Sequence, residues 1–363
     1  MTVAPMNVRL KPRRRARKLL IALGLMLSAA WLVFFVLWLQ TPGAVVLVPP
    51  PLPKPNGYDV VLNASKKMEK LTPVVKNSLP NADTLDTPAL REFVEKNKEN
   101  LAQVRVGLEM PFQIPFTYDM DALVEQHNTS AILRTRAARV LYAEGVLARR
   151  DRRFADAMRS STDMIRLGRL MERNVPMNLY MQALVPSYLG IIGLRDTRAD
   201  FDVAQLRSLI EALKTFEKDR EPIEKVIERE NVVADLNVRK MGIIASTAVT
   251  LNGMLATGKQ QNRALLEKYD RLIQLRYRLL IADLAVRLYH KENGKYPAEL
   301  SEIKFELPPD PYSPTHGPFI YRLIEGGYQL YSVGPDGDDD KLEPVLGNAF
   351  QDMSNGDWSL DSL

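Results

Sequence analysis

The sequence predicts a mainly α-helical protein with an N-terminal transmembrane helix, a Pro-rich stalk, a multi-helix bundle and a small α+β C-terminal cap containing a β-hairpin. Three observations lead to this fold class. An uncharged run follows a basic tail, helical periodicity fills the middle of the chain, and two strand-like runs appear near its end. The predicted segments are residues 1–18, 19–39, 40–57, 58–275 and 276–363.

The basic tail contains seven Lys or Arg residues and no acid within residues 1–18. Because the formal net charge of the whole chain is +5, the remaining residues sum to −2, and the basic character belongs to the tail. The overall charge therefore does not favour a nucleic-acid partner.

Residues 19–39, "LLIALGLMLSAAWLVFFVLWL", carry no charge. A helix of this length spans about 30 Å, the thickness of the hydrocarbon core of a bilayer. The next cation is Lys54, so the positive-inside rule predicts a single-pass anchor in the inner (cytoplasmic) membrane, with the N-terminus in the cytoplasm and the bulk of the chain outside. A cleavable signal peptide is the alternative, although its apolar region is normally shorter than this one.

The next two segments differ sharply in composition. Residues 42–55 contain six prolines, which favours a stiff polyproline II stalk between the membrane and the rest of the chain. From Tyr58 to about Gly294 the apolar residues recur at helical spacing, as in "DVAQLRSLIEALKTFEKD". Such stripes normally pack helices against one another, so this region is predicted to be a helical bundle.

The composition changes again near Gly294, where Pro, Gly and aromatic residues become frequent. The runs "FIYRLI" and "YQLYSV" alternate in polarity and are separated by "EGG". This pattern predicts a short β-hairpin.

Few residues in the sequence suggest enzymatic chemistry. The chain has no cysteine, which excludes disulfides, cysteine-ligated metals and cysteine nucleophiles, and its three histidines are far apart in sequence. No G-x-S-x-G elbow, P-loop or dinucleotide-binding loop occurs. We therefore predict no catalytic and no cofactor-binding residue, while an enzyme that uses dispersed acids stays an open alternative.

One stretch does suggest a ligand. The alternating run ends in "GPDGDDDK", which gathers four Asp side chains behind a strand. It is not an EF-hand, because Lys341 stands where that motif needs glycine and Gly347 stands where it needs glutamate. Calcium prefers oxygen ligands, so the turn either binds a calcium ion or is a solvated loop.

The C-terminal segment also carries a recognisable set of residues. It has an "NG-x-YP" turn after a helix, an Asp-Pro turn, a "Y-x-L-x-S-x-G-x-D-G" run and a late acid followed by Trp. The residues concerned are Tyr289, Asn293, Gly294, Tyr296, Pro297, Asp310, Pro311, Tyr328, Leu330, Ser332, Gly334, Asp336, Gly337, Asp352 and Trp358. This segment resembles the C-terminal half of the major pseudopilin of type II secretion systems.

The resemblance implies a calcium loop. By motif position, the side chains of Asp336 and Asp352 and the carbonyl of Val333 would be ligands, with Asp338 as an additional one. The chain departs from the family because the processing site before the membrane helix is missing and that helix lies far upstream of the "YP" turn. In its general organisation the whole chain resembles large exported proteins, of uncharacterised function, from planctomycete-type bacteria.

These observations together favour a membrane-anchored structural or interaction protein of the cell envelope, with an envelope protein as its partner. Two alternatives stay open. One is an envelope enzyme whose site lies in the helical domain, and the other is a divergent component of a type II secretion system.

Overall fold

The structure is a computed structural model that describes residues 14–40, 48–70, 87–118, 120–240, 248–249, 253–342 and 356–362, without the side chains at 14–20, 37–40, 87, 120–123 and 134. The chain forms two compact units. The first contains residues 1–46 and 234–259, and the second contains residues 47–233 and 260–363.

In the first unit, helix α1 runs from Arg14–Gln40 and contains the whole predicted segment 19–39. The large apolar side chains described along it are exposed, including Leu25 and Trp31 at 67% and 70%. Within the described residues, every helix falls short of the combination of length and hydropathy that a membrane crossing needs.

The second unit is mainly helical, as predicted. Its N-terminal helices are α2 (Gly57–Lys67), α3 (Thr87–Lys96), α4 (Lys98–Leu108), α5 (Met120–Ile132) and α6 (Ala138–Arg150), with a π-helical turn at Leu133–Ala137 between the last two. Its later helices are α7 (Phe154–Met171), α8 (Met177–Thr197), α9 (Val203–Lys218), α10 (Ile223–Lys240) and α11 (Met254–Asn293). The C-terminal end of α10 and the N-terminal end of α11, within residues 234–259, belong to the first unit.

Local sequence explains where several of these helices begin and how they pack. The Asp202 carboxylate accepts a hydrogen bond from the amide of Gln205, and the Gln205 side-chain oxygen accepts one from the amide of Asp202. This capping box starts α9. Helices α7 and α8 approach closely because Gly190 has no side chain. A Cβ atom there would lie only 2.5 Å from the carbonyl oxygen of Ser161.

The predicted stalk ends on the bundle. Residues 48–56 form neither helix nor strand, and residues 41–47 lie outside the described part. The buried Asn56 donates to the carbonyl of Gln113 at 2.8 Å and accepts from the Gln113 amide at 3.1 Å. Its side chain also caps α2 by accepting from the Tyr58 amide. The stalk therefore joins the bundle through a fixed hydrogen-bonded residue.

The predicted hairpin is confirmed. Strands β1 (Ile320–Ile324) and β2 (Gly327–Ser332) pair antiparallel, and the chain turns at Glu325 and Gly326. A short third strand, β3 (Trp358–Ser359), pairs antiparallel with the end of β2, so the sheet order is β1-β2-β3. A single 3-10 turn, Leu300–Glu302, lies between α11 and the sheet.

The cap and the bundle share one hydrophobic core within the second unit. Buried cap residues, among them Leu330, Trp358 and Leu360, belong to the same cluster as the bundle helices. On the surface, the guanidinium of Arg198 donates to both carboxylate oxygens of Asp361, at 2.7 and 2.8 Å. The predicted domain boundary at residues 275 and 276 falls inside helix α11.

Charged side chains also lie inside this core. Arg169, in the last turn of α7, and Glu172, the residue that caps the C-terminal end of this helix, form an ion pair whose side chains are 4% and 2% exposed. The guanidinium of Arg169 lies over the ring of Tyr277 on α11, 4.3 Å from its centroid. Such a pair contributes little net stability when intact, but loss of one partner leaves a buried charge without compensation.

One buried tyrosine, Tyr58, and two half-buried ones, Tyr312 and Tyr321, lead us to predict a loss of stability at high pH. Burial raises the pKa values of Tyr58, Tyr312 and Tyr321 to about 12, with a further contribution from Asp59 for Tyr58. In the unfolded chain a tyrosine loses its proton near pH 10. The folded chain then holds more protons than the unfolded one, so the free energy of unfolding should fall between about pH 10 and 12.

Urea unfolding across that pH range measures this fall. Tyr58→Phe keeps the ring and removes the titrating hydroxyl, so its curve should fall less steeply than that of the wild-type protein. Equal slopes for the two proteins would show that Tyr58 titrates normally.

Candidate functional site

The acidic turn follows β2, and Asp310 holds the end of that strand. The Asp310 side chain is 1% exposed and accepts from the Ser332 hydroxyl at 2.8 Å and from the Val333 amide at 3.1 Å. It also accepts from the Tyr312 amide at 2.9 Å. Burial raises the pKa of this carboxyl, and these hydrogen bonds oppose the increase. Asp310 therefore has a structural role in fixing the strand before the turn.

The turn is joined directly to the segment that precedes β3. One Asp336 oxygen accepts from the Gly356 amide at 2.7 Å. Gly334, at φ +68, lies so close to this segment that a Cβ atom would be 2.0 Å from the Gly356 carbonyl oxygen. The left-handed backbone and this close approach both require glycine at position 334. The turn thus positions the C-terminal segment beside it.

That segment brings a carboxylate that the sequence analysis missed. Asp357 is 3% exposed, and its Oδ2 accepts from the Leu342 amide at 2.8 Å. Its Oδ1 is buried and has no hydrogen-bond partner among the described residues. A buried acceptor without a partner costs about 1 to 3 kcal/mol, more when it is charged.

The neighbours of Asp357 are also acidic. Burial raises the pKa of the Asp357 carboxyl, the backbone amides of Leu342 and Asp340 oppose this, and the charges of Asp339 and Asp340 raise the pKa further. The chain reaches the amide of Leu342 through two consecutive left-handed residues, Lys341 at φ 60 and Leu342 at φ 61. The backbone is thus held in an unfavourable conformation at the place where it meets the buried carboxylate.

The neighbouring acid Asp339 has a tyrosine and an arginine as partners. It accepts from the Tyr331 hydroxyl at 2.9 Å and from the Arg322 guanidinium at 2.5 Å. Burial would raise the pKa of Asp339, but these contacts and the Lys341 amide outweigh it, so the pKa is lowered. Asp339 stays ionised beside Asp357 and adds to the negative potential there.

The four predicted calcium ligands differ in their exposure and in their hydrogen-bond partners. Asp336 and Asp338, two positions apart, are both exposed, and the Asp338 amide donates to the Asp336 carboxylate at 3.4 Å. Val333 is buried, with its amide bonded to Asp310. Asp352 lies outside the described residues. Across the described part of the chain, no three His, Asp or Glu side chains lie close enough together to hold one metal ion.

The donors present nevertheless match calcium better than a transition metal. Residues 333–357 contain no histidine or cysteine, so only oxygen ligands are available. The free Oδ1 of Asp357 would be one ligand, and backbone carbonyl oxygens of the turn would be further oxygen donors. A calcium ion there would compensate the buried negative charge and the repulsion between the neighbouring carboxylates.

A separate polar cleft of about 520 Å³ lies in the bundle between the end of α9, the start of α10 and the middle of α11. Four cations and four carboxylates line it: Lys214, Lys218, Arg220, Arg278, Glu217, Glu221, Glu224 and Asp270. The two signs balance in number, so the cleft has no strong overall preference for an anion or a cation.

The floor of this cleft is a buried network. Asp270 forms an ion pair with Arg220 and accepts from the Tyr180 hydroxyl at 2.9 Å and from the Gln274 side chain at 2.6 Å. Burial, and then the charge of Asp270, raises the pKa of Tyr180. These mutual contacts satisfy the Asp270 carboxylate, as expected for a network that joins α8, α11 and the link between α9 and α10.

The chain matches no protein-family model, no curated protein and no solved structure.

Proposed function

We propose that this chain is a membrane-anchored, extracytoplasmic structural protein of a bacterial cell envelope, in which calcium fixes the C-terminal cap. The carboxylate of Asp357 carries the calcium proposal, because it is buried, has a free oxygen and lies beside an acidic turn. The pseudopilin resemblance of the C-terminal segment supports the same ion. A folded cap on the bundle would present a rigid surface to a protein partner in the envelope.

The anchor is supported by the sequence alone, through the basic tail and the uncharged residues 19–39. We expect alkaline phosphatase fused after Gly57 to be active in intact cells, because the enzyme folds only outside the cytoplasm. The matched fusion of cytoplasmic β-galactosidase at the same residue should be inactive. The opposite result, with only the β-galactosidase fusion active, would place the bundle in the cytoplasm and refute the proposed topology.

Calcium should stabilise the protein against heat. A ligand that binds only the folded state, at 100 times its dissociation constant, adds about 2.7 kcal/mol to the free energy of unfolding. We expect calcium to raise the melting temperature of the chelator-treated protein, and magnesium to raise it less because magnesium gives up its water reluctantly.

Two variants make this test specific. Asp357→Asn keeps the shape of the side chain and removes its charge, so it should abolish the calcium shift without lowering the melting temperature of the metal-free protein. Glu325→Gln, at the exposed tip of the hairpin, is the matched control and should retain the shift. A calcium shift that survives in Asp357→Asn would locate the ion elsewhere.

The polar cleft is the place in the bundle where the alternative, an envelope enzyme or a binder of small polar molecules, would have its site. Its volume of about 520 Å³ lies within the usual range for small-molecule sites. A screen of polar metabolites by melting temperature tests this alternative. A shift lost in Lys218→Ala, which removes a cation from the cleft wall, would favour it.

The other alternative is a divergent component of a type II secretion system. It is supported by the resemblance of the C-terminal segment to the major pseudopilin. Co-purification of the detergent-solubilised chain with a secretion ATPase complex would favour this alternative over a purely structural role.

A further inference from the structure

The polar cleft of the bundle has charges of both signs on its walls, and most of these charges are paired within the protein. Three of its four carboxylates each form an ion pair with an arginine: Glu217 with Arg278, Glu221 with Arg229 and Asp270 with Arg220. The side chains of these pairs are only 9% to 22% exposed. Because their charges are compensated, the pairs build the walls of the cleft and leave other groups to contact a ligand.

The other three charged side chains of the cleft form no ion pair within the described part of the chain: Lys214, Lys218 and Glu224. Lys214 and Lys218 are one turn apart on α9, so their side chains lie on the same face of that helix. The Lys214 ammonium lies 5.4 Å from the ring centroid of Phe305, a contact that leaves its charge uncompensated. Glu224 is in the first turn of α10. The cleft therefore offers two cations from α9 and one carboxylate from α10.

The floor of the cleft has a donor that also lacks a partner. The Arg220 side chain is 9% exposed, and its Nη2 donates to Asp270 and to the Tyr180 hydroxyl. Its Nε is buried and has no acceptor among the residues that the structure describes. A buried donor without an acceptor is unfavourable. A ligand oxygen that reached this floor would supply the missing acceptor.

We infer that the cleft binds a small molecule with two carboxylates and one ammonium group, the chemistry of an acidic amino acid. The carboxylates would contact Lys214 and Lys218, and the ammonium group would contact Glu224. A simple anion or cation would leave at least one of these three groups without a partner. The volume of about 520 Å³ is large enough for such a molecule.

The inference names a ligand class for the cleft and goes beyond the structural role proposed above. It uses neither the membrane anchor nor the calcium ion, so its failure would leave both of those proposals unchanged.

Equilibrium dialysis of labelled glutamate against the full-length, detergent-solubilised protein tests the inference. Two unlabelled competitors separate the contributions of the ligand groups, because glutarate lacks the ammonium group and 4-aminobutyrate lacks one carboxylate. We expect saturable glutamate binding and about tenfold weaker competition by each analogue, which corresponds to about 1.4 kcal/mol for each missing group. No saturable binding up to several millimolar glutamate, or competition by glutarate equal to that by glutamate, would overturn the inference.

Two variants assign the ligand groups to the walls of the cleft. Glu224→Gln should reduce the affinity for glutamate to that for glutarate, because it removes the partner of the ammonium group. Lys218→Gln should weaken the binding of both molecules. The matched controls are Glu211→Gln on α9 and Lys268→Gln on α11, since both side chains are exposed and lie outside the cleft lining. Both controls should bind glutamate as the wild-type protein does.

The melting temperature of each ligand-free variant separates binding from stability. Lys218 and Glu224 are exposed, so we expect both variants to fold. A Glu224→Gln variant that melts earlier but keeps its affinity for glutamate would show that Glu224 only stabilises the N-terminal end of α10, and would overturn the ammonium contact. Losses of affinity in the controls as large as in Lys218→Gln would also overturn the inference, because binding would then not depend on the cleft.

Discussion

Glu172→Gln is expected to lower the free energy of unfolding by about 3 to 5 kcal/mol, because it leaves the guanidinium of Arg169 buried without a counter-charge. Both side chains of this pair are almost completely buried, at 4% and 2% exposure. The shape of residue 172 is retained, so the loss is electrostatic rather than steric. Urea unfolding at neutral pH measures it.

The chain contains a matched surface pair for comparison. Lys98 and Glu95 have the same one-turn spacing, but their side chains are 72% and 70% exposed. Glu95→Gln should change the free energy of unfolding by less than about 1 kcal/mol, because exposed pairs contribute little. In addition, the double variant Arg169→Met with Glu172→Leu should recover most of the lost stability, since it removes both charges together. A double variant as unstable as Glu172→Gln would mean that packing, not charge, determines this site.

Trp358→Ala should be similarly damaging, with an expected loss of about 3 to 5 kcal/mol. The Trp358 side chain is 3% exposed, belongs to the core shared by cap and bundle, and packs edge-to-face against Tyr312 at 5.7 Å between ring centroids. Its loss opens a cavity at the place where β3 meets the helices. Because the variant also moves Asp357 from its position, it should bind calcium more weakly than the wild-type protein.

Leu323→Ala is the control for this variant. Leu323 is a large apolar residue of the same cap, but it is 52% exposed on strand β1. Its truncation should leave stability within about 0.5 kcal/mol of the wild-type value. A loss for Trp358→Ala no larger than for Leu323→Ala would show that the cap contributes nothing to the stability of the bundle.

Strong periodicity made the main elements predictable. Apolar residues at helical spacing gave the bundle, and the alternating runs on either side of "EGG" gave the hairpin with its turn in the observed place. Strand β3 was missed because two residues are too few to show any alternation. The hydrogen bond between Gly356 and Asp336 holds the distant C-terminal segment beside the turn, next to the end of β2 with which β3 pairs.

The spacing of apolar residues in the sequence could not show that the charged pair Arg169 and Glu172 is buried. Arg169 and Glu172 lie in "RLMERN", where one-turn charge pairs normally indicate an exposed helix face. Only the packing of α7 against other helices reveals that this face is inside. The glycines at positions 168 and 190 are the sequence feature that indicates a close contact between these helices.

The calcium site in the acidic turn stays a prediction, and the sequence analysis did not name Asp357 as a candidate ligand. Attention to the late acid before Trp led to Asp352, whereas Asp357, directly before Trp358, provides the buried carboxylate. Its position in "NGDWSL", directly before a tryptophan, gives no sign of this burial, because neighbouring residues of an extended chain point to opposite sides. Asp352 itself stays a prediction, as it lies outside the described residues.

The central claim is that a calcium ion joins the acidic turn to the C-terminal segment through Asp357, and isothermal titration calorimetry tests it most directly. Calcium is titrated into the full-length, detergent-solubilised protein after chelator treatment, in parallel with Asp357→Asn and Glu325→Gln. We predict one site per chain in the wild-type protein and in Glu325→Gln, and no binding heat in Asp357→Asn. Absence of heat in the wild-type protein up to millimolar calcium, or an unchanged titration in Asp357→Asn, would contradict the claim.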